Sequence, residues 1–147
     1  MEYSPLLTPG LHEIGESDLE RQFIEPFAGS NTRPYLILGL RNYLSSLKRL
    51  GISFEVWIDG SFSTEKIDPS DVDLVVFASE KDVNSLDENR RVHFSGLMDR
   101  LSARSKYGCD VLFAIAENVD IRSYWRGWYG FDRNERPKGI SKLVINP

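Results

Sequence analysis

The run Val72-Asp73-Leu74-Val75-Val76-Phe77-Ala78 can be satisfied only inside a β-sheet. Its β-branched and aromatic residues favour extended backbone, and so many apolar side chains in succession leave no room for a fully wet face. One charge interrupts it. Successive side chains of a strand point to opposite faces, so Asp73 and the preceding Asp71 share one face while Val72 and Leu74 take the other. Neighbouring carboxylates repel, and one must take up a proton unless a cation lies between them. A divalent ion, which prefers hard oxygen ligands, removes that conflict. A metal site at the mouth of this strand, built from Asp71 and Asp73, is the expectation. The ordinary alternative for Asp71 is a loop role after Pro69-Ser70, where acids are common.

The flanking segments alternate between helical and extended periodicity. Ser17 and Asp18 offer caps to a short helix carrying Leu19, Phe23, Ile24 and Phe27, which ends near Pro26. From Pro34 onward, Leu36, Leu40, Tyr43, Leu44, Leu47 and Leu50 recur with helical period until Gly51, which predicts an amphipathic helix. Phe54-Glu55-Val56-Trp57-Ile58 alternates as a half-buried strand broken at Gly60. Asp87 to Lys106 places Val92, Phe94, Leu97, Met98 and Leu101 on roughly one face of a further helix, and Gly108 leads into an apolar strand from Cys109 to Ala116. Ile140 to Ile145 reads as a last strand. Helices alternating with strands in 147 residues predict one α/β (α+β) domain over residues 1–147, a short mixed β-sheet flanked by helices. An extended N-terminal arm (about 1–15) and an aromatic, basic C-terminal segment (about 121–147) complete the expectation.

A formal net charge of −4 argues against a general binder of double-stranded DNA, which would carry a basic face. No apolar run approaches the ~20 residues a membrane span requires. The start, Met1-Glu2-Tyr3-Ser4-Pro5, lacks the basic and apolar regions of a signal peptide. A cytoplasmic protein with no membrane partner is expected. The single cysteine, Cys109, has no thiol to pair with inside the chain and reads as a small buried side chain.

Gly60-Ser61 ends the strand that begins at Phe54. A glycine there lets backbone N–H groups approach a phosphate oxygen, and the Ser61 hydroxyl adds a donor. Asp110 stands within the Cys109 strand, and if that strand lies beside the one entered at Asp71, three carboxylates converge. The ordinary alternative for Asp110 is an ion pair with an arginine such as Arg104. Gly60-Ser61, nine intervening residues and then Asp71-Val72-Asp73-Leu74, with Asp110 as a later carboxylate, resembles the signature of the DNA polymerase beta-like nucleotidyltransferase superfamily. The wording "DGSFSTEK…PSDVDLVV", with "YGFDRNERPKGISKLVI", more narrowly resembles a family of small bacterial nucleotidyltransferase-like proteins of the DUF6932 type, over nearly the whole chain.

That resemblance implies a nucleotidyltransferase fold and a metal-dependent reaction in which an NMP group passes from an NTP to an acceptor hydroxyl with release of pyrophosphate. Asp71, Asp73 and Asp110 would be the catalytic residues. Asp71 and Asp73 would hold two Mg²⁺ (or Mn²⁺) ions, with Asp110 a further ligand or the base that activates the hydroxyl. ATP is the first NTP to consider. Lys66 and, in the charged turn near the end, Arg133 and Lys138 are the expected phosphate contacts beside Gly60 and Ser61, each with an alternative as a solvated loop charge. Neither His12 nor His93 has a local arrangement for activating Ser61 as a nucleophile. Trp125, Trp128, Tyr129 and Phe131 could stack a base, though their helical spacing suits a core role better. No residue names the acceptor, be it a protein side chain, an RNA end or a small molecule. Only about thirty residues follow Ile115, where larger superfamily members carry an added helical domain, so a protein partner is expected to present the acceptor. A toxin–antitoxin or defence setting follows by analogy alone. The alternative function is a catalytically silent nucleotide-binding or antitoxin-like regulatory subunit.

Overall fold

The computed structural model describes residues 3–129 and 139–147, and the side chains of all of these except 128 and 129. Arg133 and Lys138, expected to contact phosphate, lie outside the described residues, as does Phe131 and as do the side chains of Trp128 and Tyr129. Strands β1 (Gly10–Glu13), β2 (Phe54–Asp59), β3 (Val72–Ala78), β4 (Cys109–Ile115) and β5 (Gly139–Ile145) form one mixed sheet in the order β1-β5-β2-β3-β4. β3 runs parallel to β4 and antiparallel to β2, β2 is antiparallel to β5, and β5 is parallel to β1. The helices are α1 (Leu19–Phe23), α2 (Arg33–Lys48), α3 (Glu80–Ser85), α4 (Glu88–Met98), α5 (Arg100–Tyr107) and α6 (Val119–Tyr129). The expected mixed α/β architecture is present. Among the described residues, no helix is long and apolar enough to cross a membrane.

Two expectations need correction. The N-terminal arm is not merely extended, because Gly10–Glu13 forms the edge strand β1, paired with the last strand of the chain. The single helix expected over Asp87 to Lys106 breaks at Asp99, whose carboxylate accepts a 2.9 Å hydrogen bond from the Ser102 N–H and starts α5 afresh. A side chain that competes for helix N–H groups ends one helix and begins another. Leu101 falls on the new helix and is exposed, Val92 is exposed on α4, and Leu97 alone of that set is buried.

The alternation of β3 divides the core. Val72, Leu74 and Val76 join the helices α2, α4 and α5 on one side of the sheet. Val75 and Phe77, with Trp57 and Ala114, face the other side, where Ile121 and Trp125 of α6 pack on them. Trp125 thus has the core role its spacing suggested. Arg122 fastens the same helix, pairing with Glu55 at 2.8 Å and lying 4.7 Å over the Phe77 ring. On the first side, α5 is pressed against α2 at Gly39, where a Cβ would lie 2.0 Å from the carbonyl oxygen of Tyr107. The Tyr43 hydroxyl donates to the Leu97 carbonyl at 2.8 Å, and its ring meets Tyr107 edge-on at 5.3 Å.

One buried cation ties the loop after β2 to this framework. Arg33, at the start of α2, is 0% exposed. Its guanidinium donates to the carbonyls of Phe23 (3.1 Å), Phe62 (2.9 Å), Thr64 (2.8 Å) and Lys66 (2.7 Å) and lies 3.6 Å from the centre of the Phe27 ring. Burial pulls its pKa down to about 10, against the opposing charge of Asp68, so it remains a cation at neutral pH. A guanidinium is the one side chain with enough donors to satisfy four converging carbonyls. Arg33→Met should strand those carbonyls and cost about 3 kcal/mol or more. In thermal melts the midpoint is expected to fall by roughly 6–12 °C; a midpoint within about 2 °C of the parent would show that the loop is held by other contacts.

Candidate metal centre

Asp73 is the second residue of β3 and Asp110 the second residue of β4, and the parallel register makes them direct neighbours. On its other side Asp73 is paired with Asp59, the last residue of β2. Residues paired across strands project from the same face of a sheet. Asp59, Asp73 and Asp110 therefore form a row across three strands, and Asp71, two residues before Asp73, belongs to the same face. Carboxylate oxygens of Asp71, Asp73 and Asp110 all lie within 4.8 Å of one another, and all three residues are half-buried. The convergence expected from the sequence is present.

Gly60 closes the site from below. Its φ of +76° belongs to the left-handed region that glycine tolerates, and a Cβ there would lie 1.8 Å from Asp73 Oδ2 and 2.7 Å from its Cγ. Only a residue without a side chain lets the turn pass so close to the carboxylate. Three hard oxygen donors converging beside a cradle that a Cβ would fill suit a divalent cation of the Mg²⁺ or Mn²⁺ type.

The acids also have protein counter-ions. Arg100 grips Asp110 through two bonds, Nε to Oδ1 at 2.9 Å and Nη2 to Oδ2 at 3.0 Å. Arg104 reaches Asp71 Oδ2 at 2.8 Å. The sequence pointed to Arg104 as the partner of Asp110; one helical turn of α5 assigns it to Asp71 instead and gives Asp110 to Arg100. Asp59, only 1% exposed, was also missed. The signal was available in both cases. Asp59 follows Trp57 at strand spacing and adjoins Gly60, and Arg100 and Arg104 are four apart, hence on one helical face.

The remaining candidates divide. Ser61 follows Gly60 in a short 3₁₀ turn (Gly60–Ser63), where its carbonyl accepts from the Thr64 hydroxyl at 2.7 Å. Lys66 has its carbonyl held by Arg33 and its ammonium 5.8 Å over the Tyr3 ring. His12 lies in β1 with Nε2 at 2.6 Å from the Thr8 carbonyl, and His93 is exposed on α4. Cys109 is buried, and desolvation, with a smaller contribution from the charges of Asp71 and Asp73, pushes its thiol up to about 12. It is a packing residue rather than a nucleophile.

A family model described as a family of unknown function (DUF6932) matches residues 1–144. No curated protein and no solved structure matches the chain.

The contact between Gly60 and Asp73 generates a double-mutant test. Gly60→Ala should destabilise the protein by roughly 2–3 kcal/mol, about 1 from the positive φ and the rest from collision with the carboxylate. In an Asp73→Ala background the collision with the carboxylate is gone, and the φ strain of about 1 kcal/mol and the 3.0 Å contact with the residual Cβ should remain. Denaturant titrations of the four proteins measure the difference. Equal costs in the two backgrounds would mean that the turn does not press on Asp73.

Proposed function

We propose, for a chain that belongs to the DUF6932 family and so takes no function from its family's description, a metal-dependent nucleotidyl transfer from an NTP to an acceptor hydroxyl. The observation that carries this reading is the convergence of Asp71, Asp73 and Asp110 within 4.8 Å beside the Gly60 turn. The resemblance of Gly60-Ser61…Asp71-Val72-Asp73 to the DNA polymerase beta-like signature supports it. Asp71 and Asp73 would hold divalent ions with Asp110 completing the set. Such ions, when bound, neutralise a triphosphate and stabilise both the attacking and the leaving oxygen of an in-line displacement.

The chain's own residues have separable tasks. The acceptor oxygen forms a bond to the α-phosphorus as the α–β bridging bond breaks and pyrophosphate leaves with its electron pair. The acceptor's proton passes to a carboxylate, for which Asp110, on the outer strand of the three, is best placed. Gly60 and Ser61 would offer backbone N–H groups and a hydroxyl to the phosphates. Asp59 is buried beside Asp73 and belongs to the same row of acids across the three strands.

The pairs Arg100–Asp110 and Arg104–Asp71 favour a second reading, in which the acids are architectural and the protein is a silent nucleotide-binding or regulatory subunit. One set of measurements separates the two. Calorimetry should show ATP affinity rising at least about tenfold when Mg²⁺ replaces chelator, and Asp73→Asn should abolish the rise. Asp110→Asn should keep most of that affinity yet lower transfer of labelled NMP to lysate acceptors about 100-fold or more. Affinity that ignores Mg²⁺ sinks the metal-dependent reading. Transfer at the parental rate by an Asp110→Asn protein of reduced stability would instead make that acid architectural.

A further inference from the structure

The two arginines of α5 have a geometry that a purely structural ion pair does not require. They are four residues apart on one helical face, and each reaches a different member of the same carboxylate cluster. Their exposure is unequal to that of their partners. The side chains of Asp110 and Asp71 are 20% and 13% exposed, whereas those of Arg100 and Arg104 are 60% and 58% exposed. Asp110 is held within β4 and Asp71 directly precedes β3, while the arginines are the more exposed partners, on long stems.

We propose that Arg100 and Arg104 are exchangeable counter-cations, holding Asp110 and Asp71 in the metal-free protein and transferring to the phosphate oxygens of an incoming polyphosphate when those carboxylates turn to a divalent ion. The inference rests on the metal-dependent reading above. Three considerations carry it. Arg100 engages both oxygens of Asp110, so another cation at that carboxylate competes with Arg100 for the same two atoms. Arg104 engages one oxygen of Asp71, which leaves Asp71 and Asp73 the more accessible pair and Asp110 the gated one. With both guanidiniums still in place, added divalent charge would drive the cluster from negative to positive, and the phosphates of the substrate are the anions that restore the balance.

The chemistry of the side chain suits both partners. A guanidinium fork matches a phosphate as well as it matches a carboxylate, and releasing an exposed arginine costs little. The helix itself need not move. α5 is fixed by the close approach of Tyr107 to Gly39 and by the buried Ala103, so only the two side chains change partners. Arg100 and Arg104 thereby join Gly60 and Ser61 as expected triphosphate contacts, while the Lys66 ammonium lies 5.8 Å over the Tyr3 ring.

Calorimetry on the full chain with two probes tests the exchange: Mn²⁺ alone, and inorganic tripolyphosphate at saturating Mg²⁺. The Arg100→Gln/Arg104→Gln protein is expected to bind Mn²⁺ about three- to tenfold tighter than the parent, because its carboxylates have lost their competitors. It is expected to bind tripolyphosphate at least about tenfold more weakly, because the phosphates have lost two fork donors. Opposite signs are the signature. Loss with both probes would make the arginines scaffolds for the acids, gain with both would make them competitors and nothing more, and no change would make them bystanders; each overturns the exchange. The Arg100→Lys/Arg104→Lys protein, which keeps the charges and hence the cluster's stability, should show the same two signs at smaller size, and parental affinity for both probes would overturn the proposal independently. If neither parent nor variants take up Mn²⁺, the metal-dependent reading falls as well, which separates its failure from that of the exchange.

Discussion

The burial of β3 between β2 and β4 is the constraint from which the site follows. Val72, Leu74, Val75, Val76, Phe77 and Ala78 are all buried, and the larger of these each stabilise the fold by roughly 1.5–3 kcal/mol. Two carboxylate charges a few ångströms apart repel by about 3–4 kcal/mol at the effective dielectric of a protein surface. The apolar term is the larger. Asp73 is therefore held where the strand puts it, next to Asp110 by register with β4 and next to Asp59 by register with β2. A one-residue slip would carry the acids into the core under α2, α4 and α5 and exchange Val72, Leu74 and Val76 with Val75 and Phe77 between the two faces, so the register and the cluster stand or fall together.

What the sheet imposes, the neighbouring elements accommodate. Gly60 yields the space in which the Asp73 carboxylate lies, and Arg33 pins the backbone on the far side of that turn through the carbonyls of Phe62, Thr64 and Lys66. A buried arginine is costly unless its donors are used, and here they are used on loop carbonyls that would otherwise have no partner. The consequence is a turn whose backbone is pinned next to the acids. α5 contributes the balancing cations from the opposite direction, at the position that its contact with α2 dictates. The result is a cluster of acids beside a narrow backbone turn, with two exposed arginines paired to it.

Much of this was legible in residue order. Periodicity located α2, β2, β3, β4 and β5 nearly to their ends, and strand alternation put Asp71 and Asp73 on one face. Where local reasoning failed, a competing interaction had intervened. The break at Asp99 depends on a capping bond that helical periodicity does not register, and Arg100 and Arg104 lie on the helix that starts after it. β1 escaped notice because four residues on an edge need only a partner strand, and that partner lies more than a hundred residues away. Arg33 had no local signal, since the four carbonyls that bury it come from two separate segments.

The sequence by itself determined that this chain is one mixed α/β unit, that two strands carry acids at their entrances, and that a glycine turn precedes them. These follow from side-chain period and backbone freedom, which act between near neighbours. Only the tertiary structure decided that Asp73 stands between Asp59 and Asp110, that Gly60 touches its carboxylate, and that Arg100 rather than Arg104 takes Asp110. Those pairings depend on strand order and register, which are settled by the burial of apolar faces from distant parts of the chain and have no local signature.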